Sequence, residues 1–225
     1  TLWAWGLNSL GQLGDNTTIS KSTPTQIGTA SNWKSIALGA THSIGLKING
    51  TLYSWGGNYY GELGLGFVSN KLIPTQIGTQ TDWQNIAAGS YHSVANKTNG
   101  ILYSWGSNGD GQLGDGSNIS RYTPTIITDQ IQSIDAGNVN TAAIRIDGTL
   151  LAWGENNEGQ LGDGTTISKN TPTIIGTATD IQSICIGDNY MAKINVDQFL
   201  TSCGSNRFGQ LGNDSLLNSS VLIPV

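Results

Sequence analysis

A phrase close to W-G-x-N-x-x-G-Q-L-G returns five times in this 225-residue chain, and its spacing limits the fold more than any single residue does. It begins at Trp5, Trp55, Trp105 and Trp153, and a fifth copy keeps the rest of the phrase with Cys203 in the Trp position. The steps are 50, 50, 48 and 50 residues. A fixed period of this length marks a repeat architecture, in which each unit buries its apolar face only against its neighbours. Function then becomes a question of what the array presents, because no repeat carries an evident reaction centre.

Within one period the residues read as strands. Pro24-Thr25-Gln26-Ile27 is a short extended piece opened by a proline, which suits a strand start or an edge. Trp33 to Gly39 has small and apolar residues on both faces, as a buried strand does. His42 to Ile48 runs into Asn49-Gly50, a strong hairpin signal, and Thr51 to Trp55 follows. Asn99-Gly100 and Asp147-Gly148 repeat that turn, whereas Val196-Asp197-Gln198 lacks the glycine and predicts a distorted or longer one. The units fall at about 24–55, 74–105, 124–153 and 172–203, with partial units at both ends. Four antiparallel strands per unit predict an all-β chain, a β-propeller of four-stranded blades forming one region over 1–225.

A loop of about 18 residues follows each Trp and ends at Pro24, Pro74, Pro124 or Pro172. Leu13, Leu63, Leu113, Leu161 and Leu211, each flanked by glycine, are expected to plug pockets between neighbouring units. Asn8, Asn58, Asn108, Asn156 and Asn206 are expected to brace the loop backbone as Asx turns.

Composition agrees with short strands and tight turns: 31 glycines and only 11% charged residues leave little material for surface helices. A net charge of −5 makes the chain a poor generic partner for nucleic acid or anionic membranes, and no apolar run is long enough to span a bilayer as a helix. Cys185 and Cys203 fall on strands separated by a third, too far apart to bridge, and are expected to be free.

These residues resemble the regulator of chromosome condensation repeat family. Ile-Ala-x-Gly-x-x-His-Ser runs from Ile36 to Ser43 and from Ile86 to Ser93, followed by Asn-Gly-Thr-Leu-Tyr-Ser-Trp-Gly and then Asn-x-x-Gly-Gln-Leu-Gly. The paired glycines of kelch repeats and the WD dipeptide are both missing. The resemblance implies a seven-bladed propeller, which at this period needs about 350 residues. This chain therefore reads as about four and a half repeats of a longer protein, or as an arc completed by other segments or chains. The family's relatives include an exchange factor for a small GTPase, ubiquitin ligase modules and a secreted bacterial inhibitor, so the resemblance fixes no single activity. The Asn-, Thr- and Ile-rich, charge-poor wording resembles repeats of secreted or surface proteins of bacteria and places the chain outside the cell or on its surface.

Candidate chemistry follows the repeat. His42 and His92 hold one repeat position, as a fold element would, and are expected to bond backbone near a strand start; no Ser-His-Asp or Cys-His spacing appears. Lys21, Lys71, Arg121 and Lys169 are phased with the scaffold beside Asp15, Asp115 and Asp163, so local pairing is expected. One Asp per loop falls short of a calcium site, and no metal, cofactor or catalytic residue is assigned. What varies while the frame stays fixed is the pair of residues after the repeated Asn. Tyr59, Tyr60, Phe67, Arg207 and Phe208 are of the types that dominate binding hot spots and are the expected partner-binding residues. The expected function is a non-catalytic module that engages a protein or glycan through its loops. The alternative is a regulator of a small GTPase, and a propeller hydrolase or lyase ranks third.

Overall fold

The structure is a computed structural model describing residues 1–225. It contains only strands, and no helix is long and apolar enough to cross a membrane. An opening pair, β1 (Leu2–Gly6) and β2 (Lys21–Ile27), precedes four full blades. The first is β3 (Trp33–Leu38), β4 (His42–Lys47), β5 (Leu52–Gly56) and β6 (Lys71–Gln76). The second is β7 (Trp83–Ala88), β8 (His92–Lys97), β9 (Leu102–Gly106) and β10 (Arg121–Thr128). The third is β11 (Ile131–Ala136), β12 (Asn140–Arg145), β13 (Leu150–Gly154) and β14 (Lys169–Ile174). The fourth is β15 (Ile181–Ile186), β16 (Tyr190–Asn195), β17 (Leu200–Gly204) and β18 (Ser219–Pro224). Every pairing is antiparallel, and the blades form an arc of an open propeller.

The sheets are cut from the period one strand later than the sequence units. Pro24–Ile27 is the far half of β2, which pairs with β1 and not with the Trp33 strand, and Pro74 likewise lies in β6 beside β5. The loop explains this. Asn8 Nδ2 donates to the carbonyls of Thr17 and Ile19, drawing the end of the loop back to its start, so that Lys21 lands opposite Gly6. The same bonds start from Asn108 and Asn156. All five of these asparagines are fully buried, and Oδ1 of each accepts the N–H of the plug leucine five residues on. Their reach is therefore longer than that of an Asx turn.

The first strands of the blades face the axis, where Gly39, Gly89, Gly137 and Gly187 line one shared depression. The loops latch each blade to the outer strand of the next: Asn16 N–H donates to Leu72, Gly66 to Tyr122, Gly116 to Asn170 and Gly164 to Ser220. The plug leucines are buried, and Leu161 sits in an apolar cluster with Ile181, Met191 and Cys203 of the following blade. Cys185 and Cys203 are unpaired, with β16 between their strands.

The turn at Asp197-Gln198 is neither longer nor distorted. Gln198 N–H bonds the Asn195 carbonyl at 3.0 Å, as Gly148 bonds Arg145 at 2.9 Å. Gln198 simply occupies the left-handed region with φ +68°. At Gly148 a Cβ would fall 1.9 Å from the Thr179 carbonyl oxygen of the next blade, so glycine is required there. The fourth blade has no following sheet in this chain, and the glutamine side chain meets no such obstacle.

Candidate interaction face

The blade junctions account for most of the conspicuous polar residues. At the junction of the first and second blades, the Glu62 carbonyl accepts Trp105 Nε1–H at 2.9 Å and the Ser93 hydroxyl at 2.8 Å. Because the single hydroxyl hydrogen of Ser93 is spent on that carbonyl, His42 Nε2, 2.9 Å away, donates to Ser93. The next junction repeats the arrangement with Trp153, Gln112, Thr141 and His92. The histidines thus bond a neighbouring blade's hydroxyl, not backbone near a strand start. Burial pulls His42 down to about 4; burial and then the His42 charge pull His92 down to about 3. Both are neutral fasteners at neutral pH.

The last junction changes at all three positions together. Asn140, Met191 and Cys203 stand where His, Ser or Thr, and Trp stand elsewhere. Met191 offers no hydroxyl, and Asn140 Oδ1 is buried without a partner. The Cys203 thiol, which burial raises to about 12, reaches the Gln160 carbonyl at 3.6 Å. An apolar cluster of ten buried residues supplies the contact instead.

Three of the four phased cations are paired as expected, while Lys71 forms no ion pair and lies over the Phe67 ring. Lys21, Arg121 and Lys169 lie 3.3, 2.6 and 3.1 Å from Asp15, Asp115 and Asp163. Burial raises each carboxyl, but hydroxyl and backbone donors at Thr17, Ser117 and Thr165, with the cation, outweigh it and hold all three below their ordinary value. No three His, Cys, Asp or Glu residues converge on a common point.

Of the expected partner-binding residues, Tyr59 and Tyr60 lie together on the loop between β5 and β6, ring centroids 5.2 Å apart and planes at 73°. Tyr60 also meets Tyr91, from the β7–β8 hairpin of the second blade, at 5.5 Å and 65°. Tyr59 is 79% exposed, Tyr60 and Tyr91 39% each. Phe67 shares the loop but packs against its own Lys71, whose Nζ is 4.8 Å from the ring. Arg207 and Phe208 lie three blades further along, between β17 and β18, and no contact joins them to the tyrosines. Arg207 is bound to Glu158 at 2.6 Å, and Phe208 is 91% exposed with no aromatic neighbour. Tyr91 was missed in sequence because the residues it joins belong to another blade.

Glu62 was missed too, although the signal was there: four repeats have Gln at this position. Gln12, Gln112, Gln160 and Gln210 each accept the N–H two residues back through Oε1. Glu62 Oε2 does the same for Tyr60 at 2.7 Å, but its Oε1 is buried without a partner. Burial raises this carboxyl despite the backbone N–H groups around it.

The regulator of chromosome condensation (RCC1) repeat family model matches residues 1–46, 49–95, 99–144 and 147–193, and a second model of the same repeat matches 33–62, 83–112 and 131–160. The chain belongs to this family. No curated protein sequence matches it significantly. Among solved structures it is similar to human WBSCR16, with TM-score 0.87 and 22% identity over 99% of this chain and 62% of that one. It is also similar to yeast RCC1 (Prp20), solved bound to Kap60, with TM-score 0.86 and 21% identity over 99% and 56%. Prp20p from Saccharomyces cerevisiae, a structure described with its binding to Gsp1p and histones, gives TM-score 0.86 and 21% identity over 99% and 58%. The chain spans less than two thirds of the length of each. At these identities the likeness establishes a shared fold, and what Prp20 binds is a property of Prp20.

Proposed function

We propose that this RCC1-repeat arc is a non-catalytic interaction module that engages a protein partner through the loop face carrying Tyr59, Tyr60 and Tyr91. The single observation behind this reading is that three tyrosines from two blades meet on the exposed surface instead of in a junction. Tyrosine supplies large contact area at small entropic cost, and such residues concentrate binding energy. The rings meet edge to face, so they present an irregular relief more suited to a protein surface than to the flat face of a sugar. The remaining titratable groups favour a non-catalytic role, since His42 and His92 are enclosed within junctions. The reading extends to a secreted or surface-exposed setting, supported by the charge-poor, Asn- and Thr-rich loops. Protease treatment of intact cells, which must digest the protein if that setting holds, tests it.

The double variant Tyr59→Ser/Tyr60→Ser should keep its circular dichroism and melting temperature yet lose capture of the native partner in a pull-down. Undiminished capture would rule out this face. A nucleotide-exchange assay addresses the GTPase-regulator alternative, and the proposal predicts no acceleration.

A further inference from the structure

The two other groups of mutually contacting aromatic rings, Trp33 with Tyr53 and Trp55 and Trp83 with Tyr103 and Trp105, each already hold a cation from this chain. Lys47 Nζ lies 5.1 Å from the Trp33 ring and 4.2 Å from Tyr53. Lys97 Nζ lies 5.2 Å from Trp83 and 5.5 Å from Tyr103. The pairs Trp33–Tyr53 and Trp83–Tyr103 are edge-to-face at 76° and 72°, the geometry that Tyr59, Tyr60 and Tyr91 repeat. The tyrosine cluster has the same shape and no ammonium or guanidinium over it. Ring quadrupoles of this kind attract a cation, most strongly where water is partly excluded.

The residue that accepts the Tyr60 N–H carries the complementary charge. Glu62 receives the Tyr60 N–H, is 1% exposed, and keeps one carboxylate oxygen without a donor where four other repeats have an amide. An unpartnered buried carboxylate is costly and calls for a donor, above all a charged one. At Gly57 the repeat also lacks the side chain that occupies this neighbourhood elsewhere: Ser107 and Glu155, at the matching position, receive the amides of Gln112 and Gln160.

We infer that Tyr59, Tyr60, Tyr91 and Glu62 form a recognition site for a cationic side chain, arginine or lysine, of the protein partner. This rests on the interaction face proposed above and names the chemistry it reads. The side chain lies across the exposed tyrosine rings, and the buried Glu62 carboxylate, which holds the Tyr60 N–H, attracts it through its charge and not by direct contact.

The test uses the full chain and two labelled peptides, an arginine-rich Gly-Ser peptide and its citrulline twin, which keeps the shape and loses the charge. Fluorescence anisotropy should show the arginine peptide binding at least ~10-fold more tightly than the citrulline one. Tyr91→Ser and Glu62→Gln should each weaken the arginine peptide by about 10-fold. Glu62→Gln installs the residue of the other repeats, so a melting temperature no lower than the parent's separates lost recognition from lost folding. Equal binding of the two peptides, or full binding by Glu62→Gln, overturns the cation site. If Tyr59→Ser/Tyr60→Ser still abolishes partner capture in that case, the interaction face stands and only its cation chemistry falls.

Discussion

His42 and His92 show how much a single side chain's protonation weighs in this fold. Each donates from Nε2 to a hydroxyl on the next blade and leaves Nδ1 enclosed without a partner. Their folded values, about 4 and about 3, lie below the ordinary 6.5. As pH falls below 6.5 the unfolded chain takes up protons that the folded chain refuses, so stability drops across that window. For His42 the loss between pH 6.5 and 4 is on the order of 3 kcal/mol. Glu62 and Asp135, both raised by burial, work the other way at the acid end of this window. Urea unfolding of the parent and of His42→Asn against pH isolates the histidine: the variant's profile should be flatter, and parallel profiles would refute the assignment. Glu62→Gln should raise stability at pH 7 by about 1 kcal/mol, with the gain shrinking as acid protonates the parent's carboxyl. An unchanged or lower midpoint in urea counts against an unpaired carboxylate at this site.

Elements obey the repeat but not its obvious boundaries. The Trp phrase, the hairpin turns at Gly50, Gly100 and Gly148 and the burial of the plug leucines were all legible, because period, turn chemistry and apolar content are local signals. Which sheet owns the Pro24 strand was not legible. That depends on Asn8 folding a long loop back on itself, a set of bonds spanning nine and eleven residues. The tyrosine cluster was half legible: Tyr59 and Tyr60 declare themselves as variable loop residues, whereas Tyr91 joins them only through the contact between blades. The hairpin between β16 and β17 offers a clean test of turn strain. Gln198→Gly should stabilise by about 1 kcal/mol by relieving a left-handed glutamine. Gly148→Ala should destabilise by more than about 2 kcal/mol, because it adds both that strain and a collision with Thr179. Thermal melts that rank the two changes otherwise would contradict the turn geometry.

At the scale of the molecule, stability passes from neighbour to neighbour. Each junction is fastened by the same three devices: a Trp donating to a loop carbonyl, a latch from the loop to the next outer strand, and a plug leucine. The third-to-fourth junction keeps the latch and the plug leucine, and apolar packing around Met191 and Cys203 takes the place of the Trp donor. The opening pair leaves an apolar groove of about 540 Å³ lined by Trp3, Trp5, Leu13 and Trp55. In such a linear array a defect should spread no further than the units that share it. Native-state hydrogen exchange on Ser93→Ala, which strips both His42 and the Glu62 carbonyl of their shared partner, tests this most directly. The account predicts faster exchange in β3–β6 and β7–β10 while β15–β18 keeps its protection. Uniform loss of protection across all four blades, or no change in the first, would contradict it.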